Sequence, residues 1–270
     1  MTGSSPWAEI ADGVLVRRYA FLDQTIGLVL GDGEALVIDT RSSPRLADEL
    51  LGEIRAVTAA PLVVVDTHHH WDHTFGNGRF RPAPIWGHRR CAEVLRESGG
   101  AMRARVAAGI PELVGELDDL VIDPPDRTFD ETARLLVGGR RVELAHLGRG
   151  HTDNDIVIQV PDAGLVFAGD LVEVGAPPSF GDSFPLDWPE TLARLLDLPF
   201  GTVVPGHGDV TDRSFVEAQL ADIAAVAEAA RRARIDGGSV DEALELVTCF
   251  PPEVAREALD RAFGQLEGRW

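Results

Sequence analysis

Short apolar runs punctuated by turn residues alternate along this chain with longer stretches that carry an apolar stripe. Residues 13–16, 27–30 and 35–39 read as strands, because aliphatic and β-branched residues fill three or four consecutive positions between turn formers. Gly31-Asp32-Gly33 makes a hairpin turn, with glycine where positive φ is needed. Residues 44–59 have helical spacing, with Leu46, Leu50, Leu51, Ile54 and Val57 on one face. Leu62-Val63-Val64-Val65-Asp66 reads as a buried strand, a helix starts near Asp72, and Pro84-Ile85-Trp86 is another strand. Residues 88–120 are helical with a break at Gly109-Ile110-Pro111. After the extended Pro124-Pro125, strands return at 133–137, 142–146, 156–160 and 165–168, the first two joined by a tight turn at Gly138-Gly139. Residues 188–198 read as a helix, 202–204 as a short strand, and 213–235 and 239–267 as two or three helices. Residues 1–8 read as a loose end. Two strand-rich halves, each with helices, predict an α/β (α+β) fold, an αββα sandwich of two mixed sheets. The expected organisation is a single domain over 1–270, with a helical insertion at about 88–120 and C-terminal helices at about 213–267.

Composition narrows the partners. The net charge is −19, and every basic side chain is arginine. Nucleic acid and anionic membrane surfaces both select a basic footprint, so neither is expected to bind. No apolar stretch approaches the roughly 18 residues of a membrane span, and residues 1–25 lack a basic start followed by an apolar run. A cytoplasmic protein is the expectation. Cys91 and Cys249 are too few for a disulfide framework, and each is expected to be a buried, reduced thiol. The alanine-rich C-terminal helices either cover a sheet face or make a homodimer contact.

The chemistry concentrates in Thr67-His68-His69-His70-Trp71-Asp72-His73, directly after the strand at 62–66. Only eight histidines occur in 270 residues, and four of them lie here. Imidazole nitrogen and carboxylate oxygen crowded at a strand end suit zinc and related divalent ions. The same residue types return at Gly150-His151-Thr152, Ala168-Gly169-Asp170 and Pro205-Gly206-His207-Gly208.

The spacing H-x-H-x-D-H followed by these three segments, each at a strand end, resembles the metallo-β-lactamase-fold hydrolases. That superfamily includes glyoxalase II-like thioesterases, lactonases and the zinc β-lactamases, and the resemblance runs from about residue 14 to 210. It implies a dinuclear zinc hydrolase, with His68, His70 and His151 on one ion, Asp72, His73 and His207 on the other, and Asp170 bridging. Two such ions can share a hydroxide, lower its pKa toward neutrality and polarise the carbonyl it attacks. Asp72 is also the candidate catalytic group, orienting that hydroxide and protonating the leaving group. Diiron relatives carry glutamate where His70 stands, which favours zinc, although manganese and iron also suit these ligand types. Asp39 ends its strand either as a support for the metal loop, as the resemblance implies, or as a cap for the next helix. Thr67, Thr152, Asp153 and Asp155 are candidates to accept the second N–H of ligating histidines, and His69 is expected to point away from the ions.

For the substrate, the resemblance separates the branches. The best-known zinc β-lactamases carry cysteine or serine where Asp170 stands, whereas glyoxalase II-like enzymes and lactonases use aspartate. Glyoxalase II holds glutathione with basic residues including lysine, absent here, and lactonases place a tyrosine near the metals, whereas Tyr19 is distant in sequence. The candidate substrate-binding residues are Trp71, Phe75, Phe180, Phe184 and Tyr19. Met102, Val106, Ile110 and Leu113 of the insertion either line a pocket or pack the insertion onto the body. The expected reaction is hydrolysis of an ester, thioester or lactone with an apolar acyl group. A β-lactamase-like amide hydrolase, a phosphodiesterase or sulfatase, a mononuclear iron sulfur dioxygenase and a non-catalytic binding protein are the alternatives. Only Arg149 lies beside a ligand loop to serve an anionic substrate.

Overall fold

The computed structural model describes residues 6–269. The chain falls into two compact units. The first ends at His146 and takes in Ile156–Ala163; the second comprises Leu147–Asp155 and the chain from Gly164 onward. The described strands belong to two mixed sheets flanked by helices.

The first unit holds a seven-stranded sheet in chain order: β1 (Ala8–Ala11), β2 (Val14–Arg18), β3 (Thr25–Leu30), β4 (Ala35–Ile38), β5 (Leu62–Val65), β6 (Ile85–His88) and β7 (Arg127–Phe129). Pairing is antiparallel from β1 to β4 and parallel from β4 to β7. All four residues of β5 are buried, as a strand flanked by parallel neighbours and covered on both faces requires. Helix α1 (Pro44–Val57) starts with Pro44 at its first position, and the Ser43 side chain accepts from Leu46 N at 3.3 Å. Its stripe Leu46, Leu50 and Ile54 is buried; Leu50 and Ile54 pack with Ile26, Leu28, Val37, Val64 and Ile85. Short helix α2 (Trp71–Thr74) follows the histidine loop, and α3 (Arg89–Gly109) forms the insertion. The expected helix does not run on to 120: after Gly109 only a 3₁₀ turn at Pro111–Leu113 forms. Met102, Val106 and Leu113 are buried with Leu46 and Phe75, and Ile110 packs on the same cluster. These side chains fasten the insertion to the body.

Antiparallel strands β8 (Thr132–Val137), β9 (Arg140–Ala145) and β10 (Val157–Val160) also belong to the first unit. The Gly138-Gly139 turn of their hairpin interlocks with the Gly31 turn between β3 and β4. A Cβ on Gly31 would lie 1.8 Å from Val137 O, and Asp32 N donates to Gly138 O at 3.0 Å. Both turns therefore depend on glycine for close approach as well as for φ.

In the second unit β11 (Leu165–Glu173) runs parallel to β12 (Thr202–His207), which pairs antiparallel with β13 (Thr211–Asp212). Helix α4 (Trp188–Leu196) packs on α5 (Arg213–Ile235), and α5 on α6 (Val240–Leu244) and α7 (Pro252–Leu266). Asp212 caps α5, and Ser239 with Glu242 forms a capping box on α6.

Some expectations need correction. Part of the loose end expected at 1–8 lies outside the described residues; Trp7 is buried and β1 begins at Ala8. Cys91 is buried, but Cys249 is exposed on the surface of the helical region; neither forms a disulfide. No helix among the described residues is long and apolar enough to cross a membrane.

Leu50 is fully buried at the centre of the first unit's core. Leu50→Ala should cost about 2–5 kcal/mol, from lost apolar contact plus the cavity left behind. Thermal or denaturant unfolding measures it, and a change below about 1 kcal/mol would mean the site collapses freely.

Candidate metal centre

In the first unit the loop 67–70 leaves the C-terminal end of β5 and turns into α2. The three imidazoles of this loop cluster with that of His73 on α2: the ring centroids of His68 and His70 lie 4.7 Å apart, those of His68 and His73 4.3 Å, and those of His69 and His70 4.7 Å. His68, His69, Asp72 and His73 are buried, and His70 is partly so.

One carboxylate organises this loop from below. Asp39, at the end of β4 with φ +67°, accepts Thr67 N through Oδ1 at 2.8 Å and Thr67 Oγ1 through Oδ2 at 2.9 Å; Oδ2 also contacts His73 Nδ1 at 2.8 Å. The two sequence-level readings of Asp39 are thereby separated, since Ser43 caps α1 and Asp39 supports the loop. Around it, Thr40 N donates to His73 O, Gln24 Nε2 donates to Asp72 O, and the Thr40 hydroxyl, with one hydrogen to give, lies 2.7 Å from Asn77 Oδ1 and 2.9 Å from His73 O. Asn77 Nδ2 in turn donates to Asp66 Oδ2 at 2.7 Å. Burial holds the Asp66 carboxyl well above the usual carboxylate range, partly offset by the Asn77 bond. Sequence alone did not single out Gln24, Asp66 or Asn77.

In the second unit, β11 and β12 set Asp170 and His207 side by side. Asp170 Oδ2 lies 3.3 Å from His207 Nε2 and 3.5 Å from His151 Nε2. Gly206 makes room, because a Cβ there would lie 1.9 Å from Asp170 Oδ1. The His151 loop is held by Asp155, which accepts Thr152 N and Thr152 Oγ1, each at 2.7 Å. His151 Nδ1 faces Ser179 O at 3.3 Å, and its ring stands edge-on to buried Trp188 at 5.9 Å. Glu173 Oε1, 3.8 Å from His151 Nδ1, accepts Ser179 N. Ser179 and Glu173 are supports that no local spacing in the sequence announces.

The hydrogen-bond pattern tests whether these residues fit a cation. Carboxylate and carbonyl oxygens only accept, so Nδ1 of His73, facing Asp39, and Nδ1 of His151, facing Ser179 O, carry hydrogen. The Thr67 hydroxyl gives its hydrogen to Asp39, so His68 Nδ1 donates to Thr67. In the neutral rings Nε2 then presents a lone pair. For His73 it faces Asp72 Oδ2 at 3.3 Å, and for His151 it faces Asp170 Oδ2. A lone pair opposite a carboxylate oxygen repels, and a divalent cation between them reverses the sign. Charging the rings instead would set like charges side by side in a buried cluster. Imidazole Nε2 with carboxylate oxygen is a donor set for zinc and its neighbours, and these residues fit such a metal.

The substrate-binding candidates have inward placements. Tyr19 is buried; its hydroxyl donates to Glu53 at 2.7 Å and its ring stacks under the Arg41 guanidinium. Burial and the Glu53 bond push its phenol far above its ordinary pKa. Phe75 sits in the core cluster beneath α3, with Trp71 packed partly buried against it. Phe180 is fully buried between Trp188 and Phe250. Phe184 is buried under the Arg149 and Arg261 guanidiniums. Tyr19, Phe75, Phe180 and Phe184 thus pack interiors, which their sequence pattern could not distinguish from lining a rim. Arg149 pairs with Asp187 at 2.6 Å.

Imidazoles and carboxylates delivered by strand ends, in a frame of two mixed sheets flanked by helices, define the class: a metal-dependent hydrolase. The sequence model of the metallo-beta-lactamase superfamily matches residues 20–207, and the chain belongs to that superfamily. It is 26% identical over 199 residues to a metallo-beta-lactamase type 2 of Bacillus cereus, covering 70% of this chain and 69% of the relative. It is 27% identical over 173 residues to a hydroxyacylglutathione hydrolase of Rhodospirillum rubrum, covering 64% and 56%. Its fold is similar to the sec-alkylsulfatase Pisa1 from Pseudomonas sp., with a TM-score of 0.80 and 15% identity over 98% of this chain and 51% of that one.

Asp39→Asn keeps the side-chain size and a residue type tolerant of positive φ. It also turns an accepting oxygen into a donor facing other donors. Metal affinity, measured by chelator competition, should fall about 10–100-fold while the circular dichroism spectrum is retained. Unchanged affinity would show that Asp39 does not orient the ligands.

Proposed function

We propose that the chain is a dinuclear zinc hydrolase that cleaves an ester, thioester or lactone. His68, His70 and His151 hold one ion, Asp72, His73 and His207 the second, and Asp170 bridges them. The observation that carries this reading is that one oxygen of Asp170 approaches the Nε2 atoms of both His151 and His207, at 3.5 and 3.3 Å. A carboxylate oxygen flanked by two imidazoles suits a bridging ligand, and all seven donors match the family pattern residue by residue.

When bound, two zinc ions acidify water and polarise the scissile carbonyl. The chain's own residues do the rest. Asp39 and Thr67 fix the ring orientations of His73 and His68, as Ser179 O does for His151. The buried Asp72 carboxylate orients the attacking water and accepts its proton. As the acyl C–O or C–S bond breaks, Asp72 returns that proton to the departing alkoxide or thiolate. Aspartate rather than cysteine or serine at 170 supports the ester, thioester and lactone classes over β-lactams. The Arg149–Asp187 pair supports the same choice over sulfate or phosphate esters, since it offsets the cation beside His151.

β-Lactam hydrolysis is the second reading, favoured by the match to the Bacillus cereus metallo-beta-lactamase over 70% of this chain. A panel of an aryl ester, an acyl thioester, a γ-lactone, a sec-alkyl sulfate and a penicillin separates the readings. Turnover of one of the first three, abolished by chelation and restored by zinc, supports the proposal; turnover of the penicillin alone replaces it. Asp72→Asn should lower kcat by about 10²–10⁴-fold while keeping most of the bound metal. Wild-type turnover in that variant would remove Asp72 from the proton path.

A further inference from the structure

Strand β5 has chemistry at one end only. The histidine loop leaves its C-terminal end, while beside its N-terminal end a groove of about 630 Å³ opens between α1 and the Pro82–Pro84 turn. The two ends are separated by the four residues of β5, roughly 13 Å at strand rise. The groove lies wholly within the first unit. Its volume falls inside the range of small-molecule sites, about 300–1,000 Å³.

The floor is apolar. Leu62 and Phe80 belong to the unit's core cluster and Leu51 packs against it, so the groove is a place where the core reaches the surface. Gly52 stands at the middle of α1, and a Cβ there would meet nothing within 4 Å. Glycine is the poorest ordinary helix former, and neither sterics nor φ demands it at this position. What its missing side chain does provide is open floor in the groove.

The rim carries one uncompensated cation. Arg79 is paired with Asp48, and Arg81 with Asp123 and Asp126. Arg55, one turn beyond Gly52, is exposed. Its Nη1 donates to the carbonyls of Ala60 at 2.6 Å and Thr58 at 3.4 Å. Among the described residues no carboxylate pairs with it, in a chain of net charge −19. Those carbonyl contacts hold the guanidinium in place beside the groove while leaving its charge available, the arrangement that recognises a carboxylate.

We propose that this groove is a second ligand site, for a small carboxylate with an apolar body, which lies over Gly52 against Leu51, Leu62 and Phe80 with its anionic end on Arg55. The site stands apart from the catalytic reading and holds whichever bond the enzyme cleaves. It would take carboxylic acids of the kind that ester, thioester or lactone hydrolysis releases.

Calorimetric titration of the zinc-loaded protein with octanoate, and with neutral octanamide, tests it. One octanoate per chain should bind saturably, with octanamide at least about tenfold weaker. Arg55→Gln should weaken octanoate at least tenfold, and Gly52→Trp, which fills the floor, should abolish binding. Gly52→Ala, which leaves most of the floor open, should bind like wild type. All three variants should keep wild-type kcat and KM on the best substrate of the panel, because none lies in the metal loops. Absence of saturable binding, equal binding of octanamide, or octanoate binding that survives Gly52→Trp would overturn the proposal. Binding that survives and appears as competitive inhibition of hydrolysis would locate octanoate at the metal centre instead.

Discussion

The hydrogen bonds of the Asp39 carboxylate are the constraint on which the first unit's ligand loop depends. Asp39 stands at the end of β4, the Thr67 amide and hydroxyl follow β5, and His73 sits on α2. One side chain therefore fixes three elements at the same point. It holds a left-handed backbone conformation that costs a non-glycine residue about 1–2 kcal/mol, and three buried hydrogen bonds to a charged acceptor, each about 1.5–3 kcal/mol, offset that cost. The parallel pairing of β4 and β5 makes this possible, since Ile38 lies beside Val65 and the two strand ends meet. Thr40 and Asn77 extend the same frame to the carbonyl of His73 and to Asp66.

The second unit reaches a comparable result by a different device. There β11 and β12 run parallel, Gly169 pairs with Pro205 before the register shifts, and the Asp170 carboxylate reaches His207 Nε2 at 3.3 Å, with glycine at 206 leaving room for it. The aromatic packing around Trp188 and the bond network of Asp155 hold the His151 loop rigid. In both units the donor side chains come from strand ends and short connections. The regular elements behind them are apolar and buried, which gives such loops a fixed base.

Much of this was legible in the residue pattern. The run at 62–66 and the stripe of α1 gave their elements because buried strands and amphipathic helices leave strong periodic signals. The candidate donors stand out in the sequence because histidine is scarce in this chain and clusters after the strand at 62–65. Less legible were β1, β7 and β13, which are short and carry exposed or partly exposed residues, so no alternation marks them. Asp39 was ambiguous because a carboxylate before a helix has two common uses, and only the position of Ser43 decides between them. The aromatics near the donors could not be oriented from sequence: Tyr19 and Phe180 look the same on a rim as in an interior. Gln24, Asn77 and Glu173 act through contacts with residues distant in sequence, and no local spacing announces them.

The central claim is that two sets of histidine and carboxylate donors hold two metal ions that share Asp170. Metal content per chain, measured by plasma mass spectrometry on protein purified without added metal, tests it most directly. The account predicts about two zinc ions per chain, falling to about one or fewer on Asp170→Ala, since a bridging ligand serves both ions. About one iron per chain in the native protein, insensitive to substitution of Asp72, His73 or His207, would contradict it.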